Sequence, residues 1–334
     1  MLRLHSYRYH RPTALADALA LLAEHGPAAM LIAGGTDLMP NMKHRLFTPD
    51  HLIGLRSVRE LHGIEEGDAG VRIGAAETLA AVSRSAVVRR LFPSLARAAG
   101  LVAGPQLRNM GTLGGNLCLD TRCTYYNQTE FWRGALGYCL KKDGSVCHVT
   151  KVGRKCVAAH SADTPPVLMT LAAQAELASP RGVRTVPVAD FFVADGVRNS
   201  VREPDEIVTA LHVPLPPPGR RAGFEKLRQR GSIDFPLLNA AVAVEFAAAG
   251  DVVASLRLVL SALGARPRAV TGLEKLAAGQ PLTGELIEAV ARRAFDQCHP
   301  LENLTMDAEW RRAMVPVLVR RALAQCLTPA RAVA

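Results

Sequence analysis

The sequence predicts an α+β fold in two parts, and three observations carry that reading. Apolar strands and amphipathic helices alternate through the larger first part. A proline-rich run, Pro214 to Gly219, then interrupts them as a stiff linker. Beyond it, two neighbouring strands precede two helices, which suits a smaller domain of antiparallel strands and helices. Length agrees, because 334 residues exceed the roughly 250–300 at which one hydrophobic core stops growing.

Taken in order, Pro12-Thr13 is a helix start, and Leu15, Ala18, Leu19 and Leu22 recur at helical spacing from Ala14 to Glu24. Met30 to Ala33 reads as a short apolar strand ending in Gly34-Gly35. His51 to Leu55 and Val71 to Ala75 read as further strands, and Thr78 to Ser83 and Pro93 to Gly100 as helices. Asn109 to Asn116 is expected to be a glycine-rich loop. From Leu117 to Val157 periodicity disappears, and a structureless stretch of that length inside a compact domain usually has a function. Regular structure resumes with a helix from Thr164 to Ala173 and strands at Ala175 to Ala178 and Ile207 to Val213. Past the linker come strands at Ala240 to Ala248 and Val252 to Leu263, with Gly250-Asp251 as the turn, then helices at Leu282 to Phe295 and Met306 to Leu327. There are no repeats at solenoid periods.

Composition excludes several classes. Hydrophobic residues are 49% and charged residues 21%, an ordinary globular balance. The longer apolar runs, such as Ala240 to Val244 and Leu258 to Leu263, fall far short of the roughly 20 residues of a membrane span. The N-terminal segment has two Tyr and two His where a signal peptide would be apolar, so it belongs to the fold and a cytoplasmic protein is expected. The net charge of +10 is scattered in short clusters such as Arg220, Arg221, Lys226, Arg228 and Arg230, and aromatics are only 5%. That argues against a nucleic-acid surface and for an anionic cofactor and an acidic protein partner.

Two glycine motifs point to a phosphate-bearing ligand. In Leu31-Ile32-Ala33-Gly34-Gly35-Thr36-Asp37-Leu38 a strand ends in two glycines, a hydroxyl and a carboxylate. Glycine lets backbone N–H groups approach a pyrophosphate, because no Cβ intervenes. Arg108-Asn-Met-Gly111-Thr112-Leu113-Gly114-Gly115-Asn116 repeats that chemistry, and it matches neither the Rossmann fingerprint nor a P-loop. Either motif alone is equally a tight turn; two on one domain favour a dinucleotide with two phosphates.

Seven cysteines are present, and five fall between Cys118 and Cys156. Cys123, Cys139, Cys147 and Cys156 lack the close C-x2–4-C pairs of zinc ribbons, and wide spacing is compatible with a cubane cluster, although four thiolates also hold zinc. Gly134, Gly137, Gly144 and Gly153 could turn backbone amides toward cluster sulfurs. Tyr125, Tyr126, Phe131, Trp132 and Tyr138 could exclude water from a cluster, or simply pack the loop. Cys118 reads as a buried small hydrophobe with a subsidiary chance of replacing Cys123, and Cys298 and Cys326 as core thiols.

Together, Ala33-Gly-Gly-Thr-Asp-Leu38 and Gly111-Thr-Leu-Gly-Gly-Asn116 resemble the FAD-binding medium subunits of the xanthine oxidase family of molybdenum hydroxylases. The likeness runs along nearly the whole chain, through His160-Ser-Ala-Asp163-Thr-Pro-Pro, Phe224-Glu-Lys226, Trp310-Arg-Arg-Ala-Met and Val317-Leu-Val-Arg-Arg-Ala322. The resemblance implies an FAD-binding domain over residues 1–215, of two PCMH-like subdomains meeting near residue 57, and a C-terminal domain over 220–330. It implies that Leu31 to Leu38 and Gly111 to Asn116 wrap the pyrophosphate and ribityl chain, and that Asp163 binds a ribose or adenosine hydroxyl. Val102 stands where the family often has an aromatic beside the flavin; Val208 and Lys226 align with residues lining the isoalloxazine edge. The cysteine-bearing insertion, about 118–157, resembles that of the 4-hydroxybenzoyl-CoA reductase branch, which holds an extra [4Fe-4S] cluster there. That likeness implies Cys123, Cys139, Cys147 and Cys156 as ligands. It also implies a molybdopterin-binding α subunit and a [2Fe-2S] γ subunit in a dimer of heterotrimers, with ferredoxin as donor and no catalytic residue on this chain.

Overall fold

The computed structural model describes residues 2–150, 153–247 and 252–327. The expected Gly250-Asp251 turn, the end of the Ala240 to Ala248 strand, residues 151–152 of the insertion and 328–330 of the C-terminal domain lie outside the described residues.

Three sheets organise the chain. The first has strands β1 (Arg8–His10), β2 (Ala29–Ile32) and β3 (His51–Gly54) in the order β1-β3-β2, all parallel. Parallel strands cannot be joined by a tight hairpin, and the crossover helix Leu15–His25 carries the chain from β1 to β2, on opposite sides of β3. Its Ala18 and Leu22 are buried with Ile53 and Leu61, as the helical spacing predicts.

The second sheet has β4 (Ile64–Gly67), β5 (Gly70–Gly74), β6 (Gln174–Ser179), β7 (Gly182–Pro187) and β8 (Ile207–Pro214) in the order β4-β5-β8-β6-β7, with antiparallel neighbours. The alternation of strand and helix in the first part therefore spans one parallel and one antiparallel sheet. Between β5 and β6 the chain leaves the sheet for the helices Leu79–Arg84, Ala86–Leu91, Pro93–Leu101 and Thr164–Thr170, the second glycine motif and the cysteines. Ile73, Val82, Leu95, Leu168 and Leu211 share its core.

The third sheet has β9 (Arg220–Leu227), β10 (Leu238–Phe246), β11 (Val253–Ser261) and β12 (Arg268–Ala269) in the order β12-β11-β10-β9, all antiparallel. The helices Gly284–Asp296 and Ala308–Leu327 bury Val290, Ala291, Val315 and Leu318 against it. Pro214 ends β8 and Arg220 begins β9, so the proline run joins two sheets directly. Phe224 and Ala241 of the third sheet nevertheless belong to the core of the second.

Five strands escape the sequence pattern for one reason. β1, β4, β7, β9 and β12 are sheet edges, where charged or exposed residues displace the apolar alternation. Two expected loops are also partly helical. Thr112 caps a short helix, Leu113–Leu117, by accepting from the Gly115 N–H at 3.0 Å. Within the aperiodic stretch, Glu130–Leu136 is a helix capped by Thr129 and ended by Gly137 at φ +88°. Both are too short to show a period. Among the described residues, no helix is long and apolar enough to cross a membrane.

Candidate functional site

A cleft of about 470 Å³ opens where the end of β2, the turn after β5, the second glycine motif, β8 and the loop between β9 and β10 meet. All eight residues from Leu31 to Leu38 line it, as do Val102, Gly111, Thr112, Gly114, Gly115, Asn116, Asp163 and Val208.

The glycines serve different ends. A Cβ on Gly34 would stand 1.9 Å from the Met110 carbonyl oxygen, so the two motifs lie backbone against backbone. Gly114 is pressed in the same way on Ala75, at 2.7 Å. Gly35 has φ +69°, a left-handed conformation that side chains disfavour. Gly115 would meet only the Thr112 hydroxyl, at 2.9 Å, and it faces the cleft. The motifs also differ as donors. Leu113, Gly114, Gly115 and Asn116 give their N–H groups to Glu77, Ala75 and Thr112. Among the described residues, the N–H groups of Gly34, Gly35 and Thr36 find no protein acceptor. Among the described residues, the first motif thus leaves three N–H groups free at the cleft, while the second gives all but that of Thr112 to protein acceptors.

The carboxylates are anchored rather than free. Asp37 accepts from Arg122 Nη1 at 2.7 Å and Asn41 Nδ2 at 2.9 Å. Burial raises its pKa, against the lowering pull of Arg122. Asp163 accepts from Lys226 Nζ at 2.6 Å and Asn239 Nδ2 at 3.0 Å. Burial raises this carboxyl too, opposed by the Lys226 ammonium. Asn116 Oδ1 accepts from the Thr164 N–H and hydroxyl, which fixes the second motif to the helix that follows Asp163.

Two expected contacts do not reach the cleft. Lys226 is buried behind it, held by Asp163 and the Leu101 carbonyl at 3.1 Å, and it can act on a ligand only through Asp163. Leu113 is fully buried, because the helical turn capped by Thr112 directs its side chain into the core. Cys118 is no core thiol: it lines the cleft and is exposed to it. Sequence reasoning missed Leu107, Arg202 and the stretch Ile233, Asp234, Phe235 in the cleft wall. That stretch lies in a polar loop without periodicity. Its one signal is structural, a β-branched residue, Ile233, held at φ +69°.

Beside the cleft is a small second cavity, lined by all four of Cys123, Cys139, Cys147 and Cys156. Cys123, Cys139 and Cys156 are buried and Cys147 is partly exposed. Gly144 closes the turn around Cys139, and Gly196 backs onto the Cys156 sulfur; a Cβ at either would clash, at 2.7 and 2.6 Å. Tyr138 and Asp143, flanking Cys139, both have left-handed φ. Of the aromatics, Tyr125 and Tyr126 line the cavity. Phe131 and Trp132 do not shield it, since their short helix leaves them 88% and 39% exposed. No three of the four thiols come within 4.8 Å of one another. A tetrahedral zinc with bonds of about 2.3 Å would draw them to about 3.8 Å.

One ion pair separates the two cavities. Lys141 lines the cysteine cavity and donates to Asp120 at 2.7 Å, and Asp120 lines the cleft. Lys141 also bonds the Thr121 carbonyl and hydroxyl and lies 4.2 Å from the Tyr126 ring centroid.

Comparison with known proteins places this architecture. The family model described as the FAD binding domain in molybdopterin dehydrogenase matches residues 5–216, and that of the CO dehydrogenase flavoprotein C-terminal domain matches 222–326. The carbon monoxide dehydrogenase medium chain of Hydrogenophaga pseudoflava is 31% identical over 95% of this chain and 96% of its own. The aldehyde oxidoreductase FAD-binding subunit of Escherichia coli is 32% identical over 98% and 99%. A solved structure of the Hydrogenophaga pseudoflava carbon monoxide dehydrogenase superposes with a TM-score of 0.80 at 30% identity, covering 97% of this chain and 98% of that one. With the glycine-lined cleft, these likenesses carry one conclusion: the chain belongs to the FAD-binding medium subunits of the xanthine oxidase-type molybdenum oxidoreductases.

Proposed function

We propose that this chain is the electron-transfer subunit of a 4-hydroxybenzoyl-CoA reductase, holding FAD in the cleft and a [4Fe-4S] cluster in the cysteine cavity. The observation that carries the finer reading is the convergence of four cysteines, widely spaced in the chain, on one cavity. The cleft fits a dinucleotide by its donor set: the unpaired N–H groups of Gly34, Gly35 and Thr36 suit a pyrophosphate, and buried Asp163 can accept from a sugar hydroxyl.

When bound, FAD supplies one- and two-electron chemistry, and the cluster supplies one-electron storage at a potential set by its surroundings. The chain's own residues position and insulate. Lys226 and Asn239 hold Asp163 in place. Tyr125 and Tyr126 wall the cysteine cavity, and the buried Lys141 ammonium beside it favours negative charge there. The chain relays electrons in the cytoplasm from a reduced ferredoxin to a [2Fe-2S] γ subunit and a molybdopterin α subunit, in a dimer of heterotrimers. The basic surface suits an acidic ferredoxin. On the α subunit, 4-hydroxybenzoyl-CoA takes up two electrons and two protons to give benzoyl-CoA and water.

A second reading, the flavin subunit of a molybdenum enzyme that oxidises an aldehyde, is favoured by the end-to-end match to the aldehyde oxidoreductase subunit. The two separate on the purified complex. The first reading expects four irons and one FAD on this chain, and benzoyl-CoA formed with a low-potential donor. Aldehyde oxidation without dehydroxylation would establish the second instead.

A further inference from the structure

Away from both cavities, three histidines converge at the parallel sheet. Register brings the first two together: His10 of β1 pairs with Ile53 of β3, and His51 is two residues before Ile53. Side chains two apart on a strand share a face, so His10 and His51 lie diagonally on the face that carries Ile53. The helix Leu15–His25 packs on that same face, with Ala18 and Leu22 against Ile53. Its last residue is His25, delivered over the other two rings.

The ring nitrogens are close enough to share one ion. His10 Nε2 and His51 Nδ1 are 2.9 Å apart, and one nitrogen from each of the three rings lies within 4.8 Å of the others. The His25 and His51 rings stack with centroids 3.8 Å apart and planes at 13°, so binding requires His25 to swing off the stack until its lone pair meets the ion. Three imidazoles are a poor packing solution, because protonating one works against its neighbours. An imidazole nitrogen lone pair suits a borderline cation, and an ion can take the place of the hydrogen bond between His10 Nε2 and His51 Nδ1. Zinc–nitrogen bonds of about 2.0–2.1 Å place tetrahedral ligand atoms about 3.3 Å apart, a small opening of the present pair. The C-terminal end of an 11-residue helix favours positive charge at His25. Glu24 Oε1, 3.9 Å from His25 Nδ1, adds negative charge beside the group.

We infer that His10, His25 and His51 bind one borderline divalent cation, with Zn2+ the best fit. The site clips the three-residue strand β1 to β3 and to the crossover helix. It is independent of the flavin and the cysteine cavity, none of whose lining residues it uses.

The test uses the full chain with its cofactors in place, treated with a chelator and titrated with Co2+ and Zn2+. Co2+ is expected to bind at one equivalent with the visible bands of nitrogen ligation and without the near-ultraviolet charge-transfer band of a thiolate. H10Q, H51Q and H25Q should each weaken binding at least tenfold, with flavin and iron contents unchanged. Zn2+ should raise the melting temperature of the parent and not of the variants. H25Q, at a helix end, keeps the test open if a strand variant misfolds. Binding that persists undiminished in H25Q, or that has the thiolate band, overturns the inference.

Discussion

The cleft and the cysteine cavity lie side by side and are built in opposite ways. The cleft is made of backbone: Gly34 against Met110, Gly114 against Ala75, and a second motif in which the N–H groups of Leu113 to Asn116 are held by protein acceptors. Its shape is fixed by the sheets behind it. The cysteine cavity is framed by a segment with one short helix, and three of the six buried residues in its small core are the cysteines themselves. A core made of thiols has little apolar area to set against the entropy of ordering its loop. The cleft is therefore preformed, while the cavity depends on what it holds.

The strongest test of that contrast replaces each of Cys123, Cys139, Cys147 and Cys156 with Ser. Each variant should lose the iron of the proposed cluster and become cleavable by protease between residues 121 and 158, yet keep its FAD. Loss of flavin along with iron would mean that the two sites are one cooperative unit. The parallel variants Cys298→Ser and Cys326→Ser should keep both cofactors.

Next in size is the pillar behind the cleft. Lys226 and Asp163 are almost wholly buried. Lys226→Met leaves an unpaired buried carboxylate and should cost about 3–5 kcal/mol in urea unfolding of the intact chain. Lys226→Met with Asp163→Leu should recover most of that loss, since replacing a whole buried pair is often neutral. A double variant as unstable as the single one would show that Asp163 has a structural role beyond the pair.

The glycines should separate wall from lining. Gly115→Val projects into the cleft with only the Thr112 hydroxyl to displace, so FAD should be lost from a chain that still folds, read by flavin content and circular dichroism. Gly34→Val meets the Met110 carbonyl and should lower stability as well as flavin content.

The smallest effect is chemical. Although it faces the open cleft, Cys118 is enclosed by protein that desolvates its thiolate and raises the thiol, so alkylation should be slow at neutral pH and quicken about tenfold per pH unit as the thiolate forms. Because Cys118 faces the cleft, FAD should protect it. Cys298 and Cys326, pushed up to about 11 and about 12 by burial, should stay unlabelled. Mass spectrometry of flavin-free and flavin-loaded protein reads all three.

Much of this was legible because period and burial coincide. The Leu15, Ala18, Leu19, Leu22 spacing and the apolar runs of β3, β5, β6, β8, β10 and β11 mark inner elements, and the edge strand β2 was legible because Met30 to Ala33 is wholly apolar. The other edges have no such run, which is why β1, β4, β7, β9 and β12 did not stand out. In the cleft, glycine motifs announced themselves because backbone approach demands glycine. Lys226 was misplaced because sequence position does not say which side of a wall a strand residue faces. Ile233 to Phe235 were invisible because their placement depends on a loop returning across the molecule to residues far away in the chain. The four cysteines were found by residue type alone, in a segment where pattern says nothing.

The Asp163 carboxylate has one further consequence, for how such chains can be recombined. Asp163 belongs to the first domain, but Lys226 and Asn239, which hold it, come from the third sheet. The proline run at 214–219 is a boundary in topology and not a seam in energy. A chimera joined there would inherit a buried charge from one parent and its counter-ion from the other. The C-terminal domain is thus part of the cofactor site's inheritance, and the two halves can be exchanged only as a matched set.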